Sequence, residues 1–282
     1  MPPLMTAPAE IIKQSRELLL QHFKEVGKPA PTERTEWRKE HIKTGPGRDS
    51  FYLIVNLPEA RFASWQCNVQ HTIGFSDFTY EAFFNSIHPR YLDWYFQWAR
   101  GAYELSLEGT VLLSSQEPSY SIHFPLRNKN DGGSYWWVKQ ISEPFELDDN
   151  GRMATHLNTY RMVGPYVRQE PICPLFQTGH KLHKEWQRQV LKLVKDRLMS
   201  IWFEALNPAQ MNLLKAYLEY ANSGAGFPNN AEMADRHSFY ENTLLAANKK
   251  IKFWGNHNLP VDHFRDAREV AEFLHRLFGS AE

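Results

Sequence analysis

Residues 120–163 read YSIHFPLRNKNDGGSYWWVKQISEPFELDDNGRMATHLNTYRMV. Tyr120, Ile122, Phe124 and Leu126 alternate with Ser121, His123, Pro125 and Arg127, the period of two that marks a half-buried strand. Asn130-Asp131-Gly132-Gly133-Ser134 follows, where glycine supplies positive φ without steric cost. A second run, 135–145, is rich in the aromatic and β-branched residues that strands prefer. Asp148-Asp149-Asn150-Gly151 closes the next hairpin and 153–163 returns as a third strand. The two acidic residues of that turn need no catalytic explanation. A meander of three antiparallel strands results. Its apolar face has to be covered by other parts of the chain.

Upstream, 51–56 and 61–69 have strand composition and are joined through Leu57-Pro58-Glu59-Ala60. Ser76 or Asp77 is placed to cap a helix carrying Tyr80, Phe83, Phe84 and Ile87 at i, i+3, i+4 and i+7. His88-Pro89 ends it, and Pro89 suits the first turn of a second helix over 91–107 with a broad aromatic stripe. The order is strand, strand, helices, then three strands. It predicts an α+β fold: a five-stranded antiparallel sheet with helices on one face. Before it, 9–26 has helical spacing, and the polar, proline-containing run 28–48 reads as an extended arm. After it, the prolines of 164–178 suggest a boundary, followed by a long connecting helix. The expected organisation is an N-terminal helix and arm over 1–48, the α+β domain over 49–168, the connecting helix over 175–205 and an all-α domain over 206–282.

Lys+Arg and Asp+Glu balance at 32 each, so no global field draws the chain to nucleic acid or membrane. With Cys67 and Cys173 as its only cysteines, the chain is not expected to carry a disulfide framework. No stretch approaches the roughly 20 apolar residues that span a bilayer, and the N-terminus lacks the pattern of a signal peptide. A soluble, cytoplasmic protein without membrane partners is expected.

Several of these segments resemble the PAS sensor family. They are Asn68 to Gly74-Phe75 leading into the helices, Ile87-His88-Pro89, the stretch Arg127 to Val138 with its Tyr135-Trp136-Trp137-Val138, and Asp148 to Arg152. Arg90-Tyr91 stands where that family usually has an Asp. The resemblance implies a domain that senses a small molecule or a partner, often as a homodimer.

The last 77 residues have the grammar of helix, short helix, turn and longer helix. Leu206-Asn207-Pro208-Ala209-Gln210, Met233-Ala234, Ser238 to Leu244 and Asn248 to Ile251 resemble the LuxR-type DNA-binding domain, with Gln210 in place of its usual Glu. The resemblance implies DNA contacts from Arg236, Ser238, Glu241, Asn242, Thr243, Asn248, Lys249, Lys250 and Lys252. The lysines suit phosphates, and the asparagines suit adenine edges. Residues 206–282 hold eight Lys/Arg against nine Asp/Glu, so any basic footprint is local. The alternative is an interaction module whose helical domain binds protein rather than DNA.

No cofactor or metal is expected. His180 and His183 stand at i, i+3 without a third ligand, and His71, His88, His123 and His156 show no pattern of a haem site. Nucleophile, phosphate-loop and zinc-protease motifs are absent, so no enzymatic activity is expected.

Overall fold

The computed structural model describes residues 7–44, 47, 49–108, 118–167, 171–178, 181–182, 184–224, 226–237, 240–261 and 263–278. The chain divides into a unit carrying the sheet (Thr6–Val167 with Ile172–Val190) and a helical unit built mainly from Leu191–Glu282.

The sheet unit begins with helices α1 (Pro8–Phe23) and α2 (Glu33–Thr44), then strands β1 (Ser50–Asn56) and β2 (Arg61–Cys67). Helices α3 (Val69–Ile73), α4 (Tyr80–Ser86) and α5 (Pro89–Glu108) follow, and then β3 (Pro118–Asn128), β4 (Ser134–Leu147) and β5 (Met153–Pro165). Thr79, rather than Ser76 or Asp77, caps α4 by accepting from the Ala82 amide. Pro89 opens α5, where its missing N–H costs nothing. Gly74 ends α3 at φ +78°, and a Cβ there would meet Lys129 and Asn130 within about 3 Å.

The expected five-stranded sheet is incorrect. Among the described residues the sheet has seven strands in the order β2-β1-β5-β4-β3-β6-β7, every neighbouring pair antiparallel. The additions are β6 (Leu175–Thr178) and the two-residue β7 (Lys181–Leu182). With five strands, β3 would leave a row of unpaired backbone groups at the edge. Residues 175–178 pair with 118–121 instead, and Phe176 packs on Tyr120 at 5.0 Å between ring centroids. The connecting helix therefore starts later than expected, as α6 (Lys184–Phe203).

Helices do not lie on one face only. β-strand alternation sends Tyr120, Gln140, Asn158 and Tyr160 toward α4 and α5, and Ile54, Phe145 and Leu157 to the opposite face. There Ile42 of α2 packs against Ile54, Phe145 and Leu157. Lys39 donates to Glu146 at 2.9 Å, and Arg38 pairs with Glu143. Much of the run expected to be an extended arm is thus a helix, which meets the sheet through Ile42 and these ion pairs. Trp136 and Trp137 point oppositely, as strand geometry requires. Trp137 is buried edge-on against Tyr91 of α5, and the half-buried Trp136 donates to Asp131.

The helical unit contains α7 (Pro208–Ser223), α8 (Asn230–Arg236), α9 (Glu241–Asn258) and α10 (Ala267–Phe278). Asn207 and Gln210 form a capping box at α7, and Asn229 and Glu232 form another at α8. Each box satisfies orphan amides reciprocally. Gln210 therefore fills the role of a capping glutamate through its amide oxygen. Helices α9 and α10 touch closely at Gly255, where a Cβ would lie 2.7 Å from Val270. Trp254 donates to the Trp202 carbonyl at 2.7 Å, tying α9 to the C-terminal half of α6.

Candidate functional site

Two places have the makings of a site, one in each unit. The first is a cavity of about 110 Å³ between the sheet and helices α1, α4 and α5. Its walls are mostly rings, because α4 and α5 turn their aromatic stripe toward the sheet. Phe83 alone lies within about 6 Å of the rings of Phe62, Tyr95, Phe124 and Tyr160. Helix α1 contributes Ser15 and Leu18, and Ser15 shares a 2.6 Å hydrogen bond with the Tyr80 hydroxyl.

Strand register brings polar groups to this apolar chamber. Tyr120, Ser142 and Asn158 are paired across β3, β4 and β5, with Gln140 and Tyr160 paired in the next inward row. Tyr95 donates to Gln140 Oε1 at 3.0 Å, and Gln140 Nε2 donates to Ser142 at 2.8 Å. Ser142 donates to Asn158 Oδ1 at 2.6 Å, and Asn158 Nδ2 donates to the Tyr160 hydroxyl at 3.1 Å. A buried network of this kind is stable only when its members are satisfied. The Tyr120 hydroxyl is the exception, for it is buried without a partner among the described residues. Beyond it, His156 lies 2.9 Å through Nε2 from the Tyr103 hydroxyl.

The lining is electrically neutral. Burial pushes the phenols of Tyr95, Tyr103, Tyr120 and Tyr160 well above the ordinary tyrosine range. It lowers His156 to about 3. Each group thus stays uncharged at neutral pH. The two formal charges in the wall are already paired, Arg100 with Glu104 and Glu143 with Arg38.

The second place is the α8–α9 pair. Arg236 ends α8, exposed, and donates to Tyr220 of α7 at 3.2 Å. Ser238 lies outside the described residues, and Glu241 is the first residue of α9. Asn242, Thr243, Lys249, Lys250 and Lys252 are exposed. Asn248 is half-buried, and its Oδ1 has no partner among the described residues. At 100° per residue Asn242, Lys249 and Phe253 share the outward face, with Lys250 and Lys252 flanking it on opposite sides. Leu244, Ala247, Ile251 and Trp254 turn inward. The lysines therefore spread around α9 rather than forming one stripe. Apolar residues join them, for Leu245, Phe253 and the preceding Tyr240 are exposed as well.

The cavity was not foreseen at residue level. Gln140, Ser142, Asn158 and His156 are polar residues at inward positions of period-two strands, and that misfit was the available signal. Of the histidines considered as ligands, His71 is exposed on α3. His88 packs among Tyr91, Tyr135 and Tyr166, and His123 is half-buried. His180 and His183 lie outside the described residues. Among the described residues no group of three His, Cys, Asp or Glu could hold a metal ion, and no helix is long and apolar enough to cross a membrane. Cys67 and Cys173 are free thiols, both shifted upward by burial. No family model matches the chain, and no curated protein does either.

Proposed function

We propose that the chain is a cytoplasmic transcriptional regulator: the sheet unit receives a small molecule, and the helical unit binds DNA as part of a homodimer. The observation that carries the DNA-binding half is the α8–α9 pair. A seven-residue helix and an 18-residue helix are separated by a short connection, and the longer one exposes Asn242, Lys249, Lys250 and Lys252. In this reading α9 enters the major groove. Lys249, Lys250, Lys252 and Arg236 meet phosphates, while Asn242 and its neighbours address base edges. The order of two strands, helices and three strands supports the PAS-like reading of the sheet unit, and the neutral chamber provides a place for a ligand. Helix α6 is the covalent path between the parts, since Lys184–Val190 group with the sheet and Leu191–Phe203 with the helical unit. A ligand that favours one arrangement of the sheet unit would shift the population that binds DNA.

The test is a genomic pull-down with purified full-length protein, followed by gel shifts on the enriched fragments. Enrichment of a shared sequence, lost on Lys249→Ala with Lys250→Ala, supports DNA binding. No enrichment refutes it.

A second reading is favoured by one specific observation. Tyr240, Leu245 and Phe253 are 85%, 40% and 52% exposed on or beside the same helix, and exposed rings of this kind serve protein interfaces. In this alternative the helical unit docks on a protein partner. Cross-linking through a residue at position 253 would then trap protein rather than DNA.

A further inference from the structure

We infer that the sheet unit's cavity is a binding site for a small neutral molecule of about six or seven non-hydrogen atoms, apolar over most of its surface and carrying one hydrogen-bond acceptor that Tyr120 reads. The inference rests on the sensing role given to the sheet unit and adds what is sensed.

Size comes first. The chamber measures about 110 Å³; an apolar cavity of ~150 Å³ takes benzene. A molecule the size of a single ring therefore matches the chamber.

Polarity comes next. The inward row Phe176, Tyr120, Ser142, Asn158 runs in register across β6, β3, β4 and β5. Ser142 spends its proton on Asn158 Oδ1, which also accepts from Gln140 Nε2. Hydroxyl protons are left over at the chamber wall. The Tyr120 hydroxyl has no partner among the described residues. The Tyr160 hydroxyl accepts from Asn158, which leaves its own proton to donate. A buried hydroxyl without a partner is costly, so an acceptor in the chamber is favoured. A carbonyl or ether oxygen meets this need and a second donor does not.

Charge selects further. Every titratable group deep in the lining is neutral, and the wall's Arg100 and Glu143 are engaged with Glu104 and Arg38. A carboxylate or ammonium entering the chamber would lose its hydration without gaining a counter-charge. Acids and amines are therefore excluded.

Isothermal titration of the full-length chain with four probes of about seven non-hydrogen atoms each, the size set by the chamber, tests this: cyclohexanone, methylenecyclohexane, cyclobutanecarboxylate and cyclohexylammonium. Cyclohexanone is expected to bind roughly threefold to tenfold more tightly than its hydrocarbon isostere, the worth of one net hydrogen bond. Both ions are expected to bind at least about a hundredfold more weakly than the ketone. In Tyr120→Phe, which removes only the unpartnered hydroxyl, the ketone's advantage should fall toward one while the hydrocarbon's affinity is kept. No binding of either neutral probe overturns the inference. So do equal binding of ketone and hydrocarbon, an unchanged ratio in Tyr120→Phe, or an ion that binds as well as the ketone. None of these readouts involves DNA, so loss of the DNA-binding reading and loss of the ligand inference are separately visible.

Discussion

His156 lies on β5 at the edge of the chamber, 7% exposed, with its Nε2 2.9 Å from the Tyr103 hydroxyl. Burial lowers its pKa to about 3, against about 6.5 in an unfolded chain. The folded protein thus keeps the ring neutral while the unfolded chain protonates below pH 6.5. Stability is complete above that value and falls as the pH drops toward 3. Each pH unit in the window is worth about 1.4 kcal/mol, so at pH 5 the loss is about 2 kcal/mol. His156→Gln carries no titrating group and keeps an amide to meet Tyr103. Urea unfolding at pH 7 and pH 5 should show the parent losing about 2 kcal/mol more than His156→Gln over the interval. His123 is also lowered, by burial and then by Lys139, but it is present in both proteins and cancels in the comparison. Equal losses in the two proteins would refute the assignment of a buried neutral imidazole.

On the opposite face of the sheet, Lys39 and Glu146 pair with side chains only 15% and 6% exposed. Lys39→Met should cost about 3 kcal/mol in chemical denaturation by stranding a buried carboxylate, and adding Glu146→Gln should restore most of it. The Asp148 carboxylate accepts from the amides of Gly27, Asn150 and Arg152 and from Arg152 Nε. The Gly27 amide first, then the Arg152 and Asn150 groups, hold it well below the usual carboxylate range despite an opposing push from burial. Its contribution is present above about pH 4 and is lost on further acidification. Asp148→Asn should melt lower than the parent at pH 7, with the gap closing as the pH falls below 4 in thermal scans.

Where one residue's chemistry dictates its own backbone, the fold could be read in advance. The glycine turns at 132–133 and 151 and the proline at 89 lie where the chain needs them. Period-two alternation placed Tyr120, Ile122, Phe124 and Leu126 inward, and all four are buried. The misses came from tertiary context. Strand β6 is four residues long and follows Pro171 and Pro174, so its local signal was that of a linker. Only the open edge of β3 makes it a strand. Helix α2 has no apolar stripe because Arg38 and Lys39 meet carboxylates on the sheet. The chamber was out of reach for a related reason. Tyr120, Ser142 and Asn158 are separated by 22 and 16 residues and meet through register alone. On the helical side, the exposed lysines of α9 were legible as charge. The exposure of Leu245 and Phe253 among them was not, because it depends on which face α7 and α10 bury.

The salt dependence of binding to an enriched DNA fragment, followed by fluorescence anisotropy, tests the central claim most directly. Four basic residues at α8 and α9 (Arg236, Lys249, Lys250 and Lys252) imply that log affinity falls with log salt at a slope of about −3 to −4 per protomer. Lys249→Ala with Lys250→Ala should make that slope shallower by about two. A flat salt dependence, or a slope unchanged in the double variant, would contradict DNA binding through α9.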